Sequence, residues 1–211
     1  MSVGRGVGWL GLAVAVSGAL AASAPAAEEA AFAGKAVRRE IADARGNRVA
    51  VTLTPPADRA VDTRVFDALE VSVGDAPAST ATAQGSGEPV DVSGYRVELE
   101  VLSAAATCTS QVTLKTKPVN LAGNKSFTVT SPQPPIFVAV TAFPKSGNVD
   151  ARVLNGSTPC SSSTKGSGQL DNASCVSSTC TGTSVLIGEI KNASKTASAQ
   201  YVGAVNMVFS N

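Results

Sequence analysis

The chain has no histidine. That excludes a histidine base beside a serine or cysteine nucleophile, and it excludes histidine-ligated metal, within these residues. Aromatic residues make up only 4% of the 211 positions, with a single tryptophan, Trp9. The core that a 44% hydrophobic content allows must therefore be built from Val, Leu, Ile and Ala. Charged residues are few as well, 16%, and they nearly cancel to a net charge of +1. No global field recruits nucleic acid or an anionic membrane. After the first 27 residues no apolar run reaches the ~20 residues of a spanning helix. No Gly-rich phosphate loop is present, and no cofactor is expected.

Residues 1–26 read as an address. One basic residue, Arg5, precedes an apolar run from Trp9 to Ala22, which ends in the small residues Ala22-Ser-Ala-Pro-Ala-Ala27. A cationic start, an apolar middle and an A-x-A-like end form a secretory signal peptide. The expected cut follows Ala26, with Ala24 and Ala26 as the small residues. No cysteine follows the run to carry a lipid. The mature protein is expected to be secreted or periplasmic and not membrane-spanning.

Charge divides what remains. Segment 28–100 carries 8 basic and 13 acidic side chains, net −5, whereas 101–211 carries 8 basic and 3 acidic, net +5. The second segment also holds 30 Ser plus Thr. Charge-poor, hydroxyl-rich sequence suits strands better than helices. Between the segments, Gly74–Pro89 is rich in Ala, Ser, Thr, Gly and Pro without apolar periodicity, the composition of a flexible linker. The expected organisation is a small N-terminal module over 27–73, a linker over 74–92 and a disulfide-stapled β-sandwich over 93–211.

In the N-terminal module, Ala36–Ile41 and Val49–Thr54 read as strands around Ala44-Arg-Gly-Asn47. Asp58–Leu69 reads as a short helix with Val61, Val65, Phe66 and Leu69 on one face. Val71 and Val73 then alternate as a strand. Fewer than 50 residues make a marginal core, so this is a small α+β unit, a prosegment or a partly ordered arm. From Tyr95 onward the period is two. Tyr95, Val97, Leu99 and Val101 alternate with Arg96, Glu98 and Glu100, and the pattern returns at Val112–Lys115, Ser126–Thr130 and Val149–Val153. Ile136–Val140 and Val185–Ile187 are continuous apolar runs, and Tyr201–Phe209 forms the last stripe. About seven strands with Gly, Asn and Pro breaks predict an antiparallel β-sandwich, giving a mainly β protein.

The four cysteines, Cys108, Cys160, Cys175 and Cys180, all fall in this β segment. An even count in an exported chain implies two disulfides with three possible connectivities. Cys160–Cys175 would close the apolar-poor loop Ser161–Ser174, worth about 3 kcal/mol of chain entropy, and leave Cys108 with Cys180. Cys175–Cys180 with Cys108–Cys160 is the main alternative. Four thiolates could hold zinc, but the paired C-x₂-C knuckles are missing and no metal is expected.

Several short stretches resemble the bacterial pre-peptidase C-terminal domain. Phe127-Thr-Val-Thr130 and Ile136–Thr141 look like its early strands. Gly147-Asn-Val-Asp-Ala-Arg-Val153 looks like its Gly-Asp-x-Asp-Leu-Tyr-Val strand, and Gly156-Ser-Thr-Pro159 like the Gly-Ser-x-Pro that follows. Asp171-Asn-Ala-Ser-Cys175 is similar to its Asn-Asn-Glu-Thr-Cys. Asn148, Arg152 and Ala173 depart from that pattern. The resemblance, over about 110–210, implies a β-sandwich of the kind appended to secreted peptidases, some of which have a cysteine at the place of Cys160. Some relatives bind calcium through clustered acids, but Asp150 and Asp171 are the only acids between Val101 and Ile187, too few for its six to eight oxygens.

Candidate chemistry is sparse. Ser162-Ser-Thr-Lys165 matches S-x-x-K, where lysine activates a serine nucleophile. That chemistry needs a desolvated lysine, and this one lies in a Ser/Gly-rich stretch. Glu98, Glu100 and Glu189 read as solvated strand carboxylates rather than a hydrolytic pair. The expected role is non-catalytic: binding, accessory or structural work at the cell exterior, on an unknown protein or glycan. The alternatives are a surface or filament subunit that adds its last strand, Gln200–Phe209, to another chain's edge, and a Ser162/Lys165 hydrolase. The first expected outcome concerns export. The intact mass of exported protein should correspond to a start near Ala27, and a mass that retains Met1 would contradict the address.

Overall fold

A computed structural model describes residues 34–42, 47–74, 88–103, 109–177 and 185–210. The expected signal peptide, most of the expected linker, Cys108 and Cys180 lie outside these residues. The elements in chain order are β1 (Val37–Ala42), β2 (Arg48–Thr54), α1 (Arg64–Asp67), β3 (Leu69–Val73), β4 (Val90–Asp91), β5 (Arg96–Ser103), β6 (Thr109–Thr116) and β7 (Val119–Leu121). They continue with β8 (Ser126–Thr130), β9 (Phe137–Ser146), β10 (Val149–Asn155), β11 (Thr158–Ser163), β12 (Asp171–Val176), β13 (Leu186–Asn192) and β14 (Ala199–Ser210). Two sheets face each other. The first has the order β1-β2-β5-β8-β13-β10-β11, and the second β12-β9-β14-β6-β3, with β7 beside β14 and β4 beside β7. The pairs are antiparallel except β5–β8 and β4–β7. The protein is mainly β, as the alternation predicts.

The inner faces supply one core. Val49, Val51 and Leu53 from β2, Val97 and Leu99 from β5, and Phe127 and Val129 from β8 meet Val138 and Val140 from β9 and Val205 and Met207 from β14. Glycine sets how closely the sheets approach. A Cβ on Gly188 of β13 would come within 2.8 Å of Val205 and 3.0 Å of Val140 on the opposite sheet. A Cβ on Gly203 of β14 would meet Ile190 at 2.6 Å. These glycines let the sheets close around the few large side chains of the core, Tyr95, Phe127 and Tyr201.

The strands of 37–73 are built into both sheets. Val51 lies opposite Leu99 and Leu53 opposite Val97 across β2–β5, while Val71 lies opposite Leu114 across β3–β6. The expected division between an N-terminal module and a sandwich therefore does not coincide with any division between sheets. The physical reason is the apolar stripe of β2, which a segment of that length cannot cover alone; pairing with β5 places that stripe in the core that both sheets share. The expected linker also ends in structure. Val90 and Asp91 form β4, and Val92 is fully buried.

The expected helix over Asp58–Leu69 shrinks to the single turn of α1. Ahead of it, the Asp62 backbone N–H donates to Tyr95 Oη at 2.8 Å. Arg59 bonds to the Asp91 carboxylate at 2.9 Å and to the Ser93 carbonyl, and it lies over the Tyr95 ring. These ties hold 59–62 against the 91–95 turn instead of in a helix. Val65 and Phe66 of α1 enter the core, and Arg39, at an inward position of the edge strand β1, covers the Phe66 ring at 4.3 Å. Across the sandwich, the apolar-poor stretch read as a loop forms β11 and β12, edge strands of opposite sheets. The last strand is not an edge. β14 is paired with β9 on one side and with β6 and β7 on the other.

A truncation tests the sharing of strands. Fully burying Val49, Val51 and Leu53 contributes about 5–9 kcal/mol, against a total domain stability of ~5–15 kcal/mol. A chain beginning at Ser93 should therefore show no cooperative thermal transition by circular dichroism while the mature chain does. A cooperative β-rich melt of the short chain would show that β1–β3 are dispensable.

Candidate functional site

Alternation gives each sheet an outer face, and the two differ in chemistry. The first sheet's outer positions carry Arg38, Glu40, Arg48, Arg96, Glu98, Glu100, Asp150, Arg152, Glu189 and Lys191. Opposite charges pair across strands, Arg38 with Glu100 at 2.8 Å, Arg48 with Glu40 and Arg152 with Glu189 at 3.9 Å, and within β10, Arg152 with Asp150 at 3.5 Å. Ser126 Oγ donates to Glu189 at 2.6 Å. The Arg38–Glu100 and Arg48–Glu40 pairs are exposed and each of small energetic value, whereas Asp150 and Glu189 are mostly buried, so Glu189 is not the solvated carboxylate expected from the sequence.

The second sheet's outer face is nearly free of charge. One row across the strands reads Ser174, Ala139, Asn206, Thr113, Ser72, and the next reads Asn172, Thr141, Ala204, Lys115, Glu70. Beyond them lie Val176, Phe137 and Val208 on one side and Phe143 beside Val202 on the other. Val176 is 69% exposed and Phe143 37%. Among the described strands of this sheet, the outer ionisable groups are Glu70 opposite Lys115, Lys145 beside the Phe143 ring at 5.1 Å, and Asp91 of β4, which is bonded to Arg59. This face is weakly polar and partly apolar, with Thr113 and Val202 buried within it and Phe143 and Val176 exposed at its ends.

The residues singled out from the sequence lie elsewhere. Ser162 on β11 and Lys165 after it are both exposed, so the ammonium stays solvated. The backbone N–H of Lys165 and Ser163 Oγ both donate to Asp171 Oδ1, at 2.8 and 2.6 Å. Asp171 is fully buried and anchors the turn between β11 and β12. Asp150 is buried too, and burial pushes its carboxyl above the ordinary range. Arg152 opposes that rise and the nearby Asp171 adds to it. Asp150 Oδ1 and Asp171 Oδ2 have no hydrogen-bond partner. Among the described residues no three His, Cys, Asp or Glu are placed to hold a metal ion.

Cys160 and Cys175 lie at disulfide distance, with their Cα atoms 6.2 Å apart. Cys160 is the extra residue of a bulge: Val153 faces Ser161 and Leu154 faces Pro159, leaving Cys160 unpaired between them. A bulge re-aims a side chain, and here the pair links the edge strands of opposite sheets. Cys108 and Cys180 lie outside the described residues, so the second pairing is open. Among the described residues no helix is long and apolar enough to cross a membrane.

No family profile and no curated protein matches the chain. The stretches that resemble the pre-peptidase C-terminal domain fall on β8, β9, β10, the start of β11 and β12. The uncharged outer face went unread in the sequence. Its signal was present in the positions that alternate with the apolar stripe of β14, Ala204, Asn206 and Val208, none of which carries a charge.

Asp150 supplies a pH test. A carboxyl whose folded pKa is raised favours folding below its ordinary value of 3.8. That contribution disappears as pH rises through the raised value. Relative to the parent chain, Asp150→Asn should therefore gain stability as pH climbs from about 3.5 to 6, read as a growing difference in urea midpoint. A difference that is constant across that range would contradict the assignment.

Proposed function

We propose that this chain is an exported, non-catalytic β-sandwich that binds a partner at the cell exterior through the outer face of β12-β9-β14-β6-β3. The observation that carries the reading is the contrast between the two outer faces, one covered by ion pairs and the other almost uncharged and bearing exposed Phe143 and Val176. The disulfide-distance pair Cys160–Cys175 and the apolar, A-x-A-ended start support export, since disulfides persist in oxidising compartments. The resemblance to domains appended to secreted peptidases supports an accessory role in the same place.

Assembly by strand addition takes second place. β14, the strand expected to be donated, has both edges occupied. The open edge of β1 carries Arg38, Arg39 and Glu40, and charge on an edge strand discourages pairing with another chain. A Ser162/Lys165 hydrolase is disfavoured because both residues are exposed.

Retention on washed envelopes of the producing cell tests the reading. Ser174→Asp places a charge on the second sheet's outer face at an exposed position, and Arg96→Ser makes the same change in net charge on the first sheet. The expected result is that Ser174→Asp releases the protein while Arg96→Ser leaves it bound, with both melting like the parent. Equal retention of all three would overturn the assignment of the face.

A further inference from the structure

We infer that the chain pairs with a second copy of itself across the open edge of β12, the two β12 strands running antiparallel about a twofold axis at Ser174. The register of β12 on β9 shows which backbone groups are free. Val176 lies opposite Phe137, and the next N–H, that of Ser177, donates to the Ile136 carbonyl at 2.8 Å. In an antiparallel ladder, residues bonded to the neighbouring strand alternate with residues whose N–H and C=O point the other way. Ser177, Cys175, Ala173 and Asp171 therefore bond to β9, while the backbone groups of Asn172, Ser174 and Val176 point away from it. Among the described residues no other strand pairs with β12, and these three N–H groups have no partner. All three residues are exposed.

The chemistry of this edge selects its occupant. Donors and acceptors that alternate along an extended backbone are matched by another extended backbone, so the partner is a polypeptide strand. Edges are ordinarily guarded by charge, proline, a bulge or shortness. Among the described edges, β1 carries Arg38, Arg39 and Glu40, β11 carries Pro159 and the bulge at Cys160, β3 carries Glu70, and β4 is two residues long with Asp91. β12 has none of these devices, since its one charged residue, Asp171, is fully buried. A foreign strand is chosen through charges or side-chain pockets beside the edge, and Asn172, Ser174 and Val176 offer no charge. A second copy needs no such mark, because an isologous contact complements itself. With the twofold at Ser174, that residue faces its own counterpart and Asn172 faces Val176, so every free group is bonded and no like charges meet. The pair is closed, unlike a filament, and it sets the outer faces of the two second sheets side by side.

So narrow a strip of contact makes the association weak and reversible. Sedimentation equilibrium of the mature chain between about 10 μM and about 1 mM, the range of weak complexes, should show monomer and dimer and nothing larger. Residues opposite each other in a bonded antiparallel pair have Cα atoms ~5.5 Å apart, so a charge at position 174 meets its own copy. Ser174→Asp and Ser174→Lys should each weaken dimerisation by about tenfold or more at low salt, and an equal mixture of the two chains should restore it. Position 174 is exposed, so an unchanged thermal midpoint serves as the control for folding. The unsubstituted chain supplies a second readout. Exchange of the Asn172, Ser174 and Val176 amides should slow as concentration rises, while that of the β1 amides stays constant. Four results would overturn the inference: a monomer throughout the range, assemblies larger than a dimer, dimers that both substitutions leave intact, or a mixture that does not recover the pairing. Association is read on the chain alone, so it stands or falls apart from retention on envelopes.

Discussion

The two sheets are held together by small side chains meeting at short range, and most of the architecture follows from that contact. Gly188 leaves room for Val140 and Val205, and Gly203 leaves room for Ile190. Most of the core is Val, Leu and Ala around a few large side chains, Tyr95, Phe127 and Tyr201, so most residues bury little area and a stable core must be wide. Stability in this regime comes from the number of strands rather than from any single large residue. That is why β1, β2 and β3 are drawn into the sheets instead of forming a unit of their own. The sides of so wide a sandwich then need closing. Phe66, covered by Arg39, fills one side, and the Cys160–Cys175 pair links β11 to β12 at the other.

The polar groups fall into two kinds. Some position the chain. Asp171 gathers Ser163 Oγ and the Lys165 N–H, and Asn192 donates to the Leu121 and Ala197 carbonyls at 2.8 Å each. Thr116 Oγ1 accepts from the Gly203 N–H at 2.8 Å. These bonds satisfy backbone groups that the wide core would otherwise strand. The others lie on the two outer faces. There the first sheet places its ionisable residues in ion pairs, and the second carries few charges. The folding constraint and the proposed binding role do not compete, because both use the period-two alternation, one on each side of the sheet.

How much of this was legible in the sequence depended on the kind of signal. Val97, Leu99 and Val101 against Arg96, Glu98 and Glu100 announce β5, and the stripe Tyr201–Phe209 announces β14. The strands at β11 and β12 were invisible, because Thr158–Ser163 and Asp171–Val176 are held by ladder hydrogen bonds and the cysteine pair rather than by an apolar stripe. β4 and β7, at two and three residues, are too short to show a period. The helix before β3 was overstated because its first half is tied to Tyr95 and Asp91, residues distant in sequence. The candidate face was legible only strand by strand. Which uncharged positions become neighbours depends on register, and no local pattern reveals that Ser174, Ala139, Asn206 and Thr113 form one row.

Hydrogen exchange of backbone amides under native conditions tests the shared core most directly. In one sandwich, the amides of Val49, Val51 and Leu53 should exchange only with global unfolding, with the same protection as Val138 and Val140 and the same denaturant dependence. If the β2 amides instead exchange by a separate, lower-energy opening while β9 and β14 stay protected, then β1–β3 form an independent unit docked on the sandwich. The account of a core that depends on their strands would then be wrong.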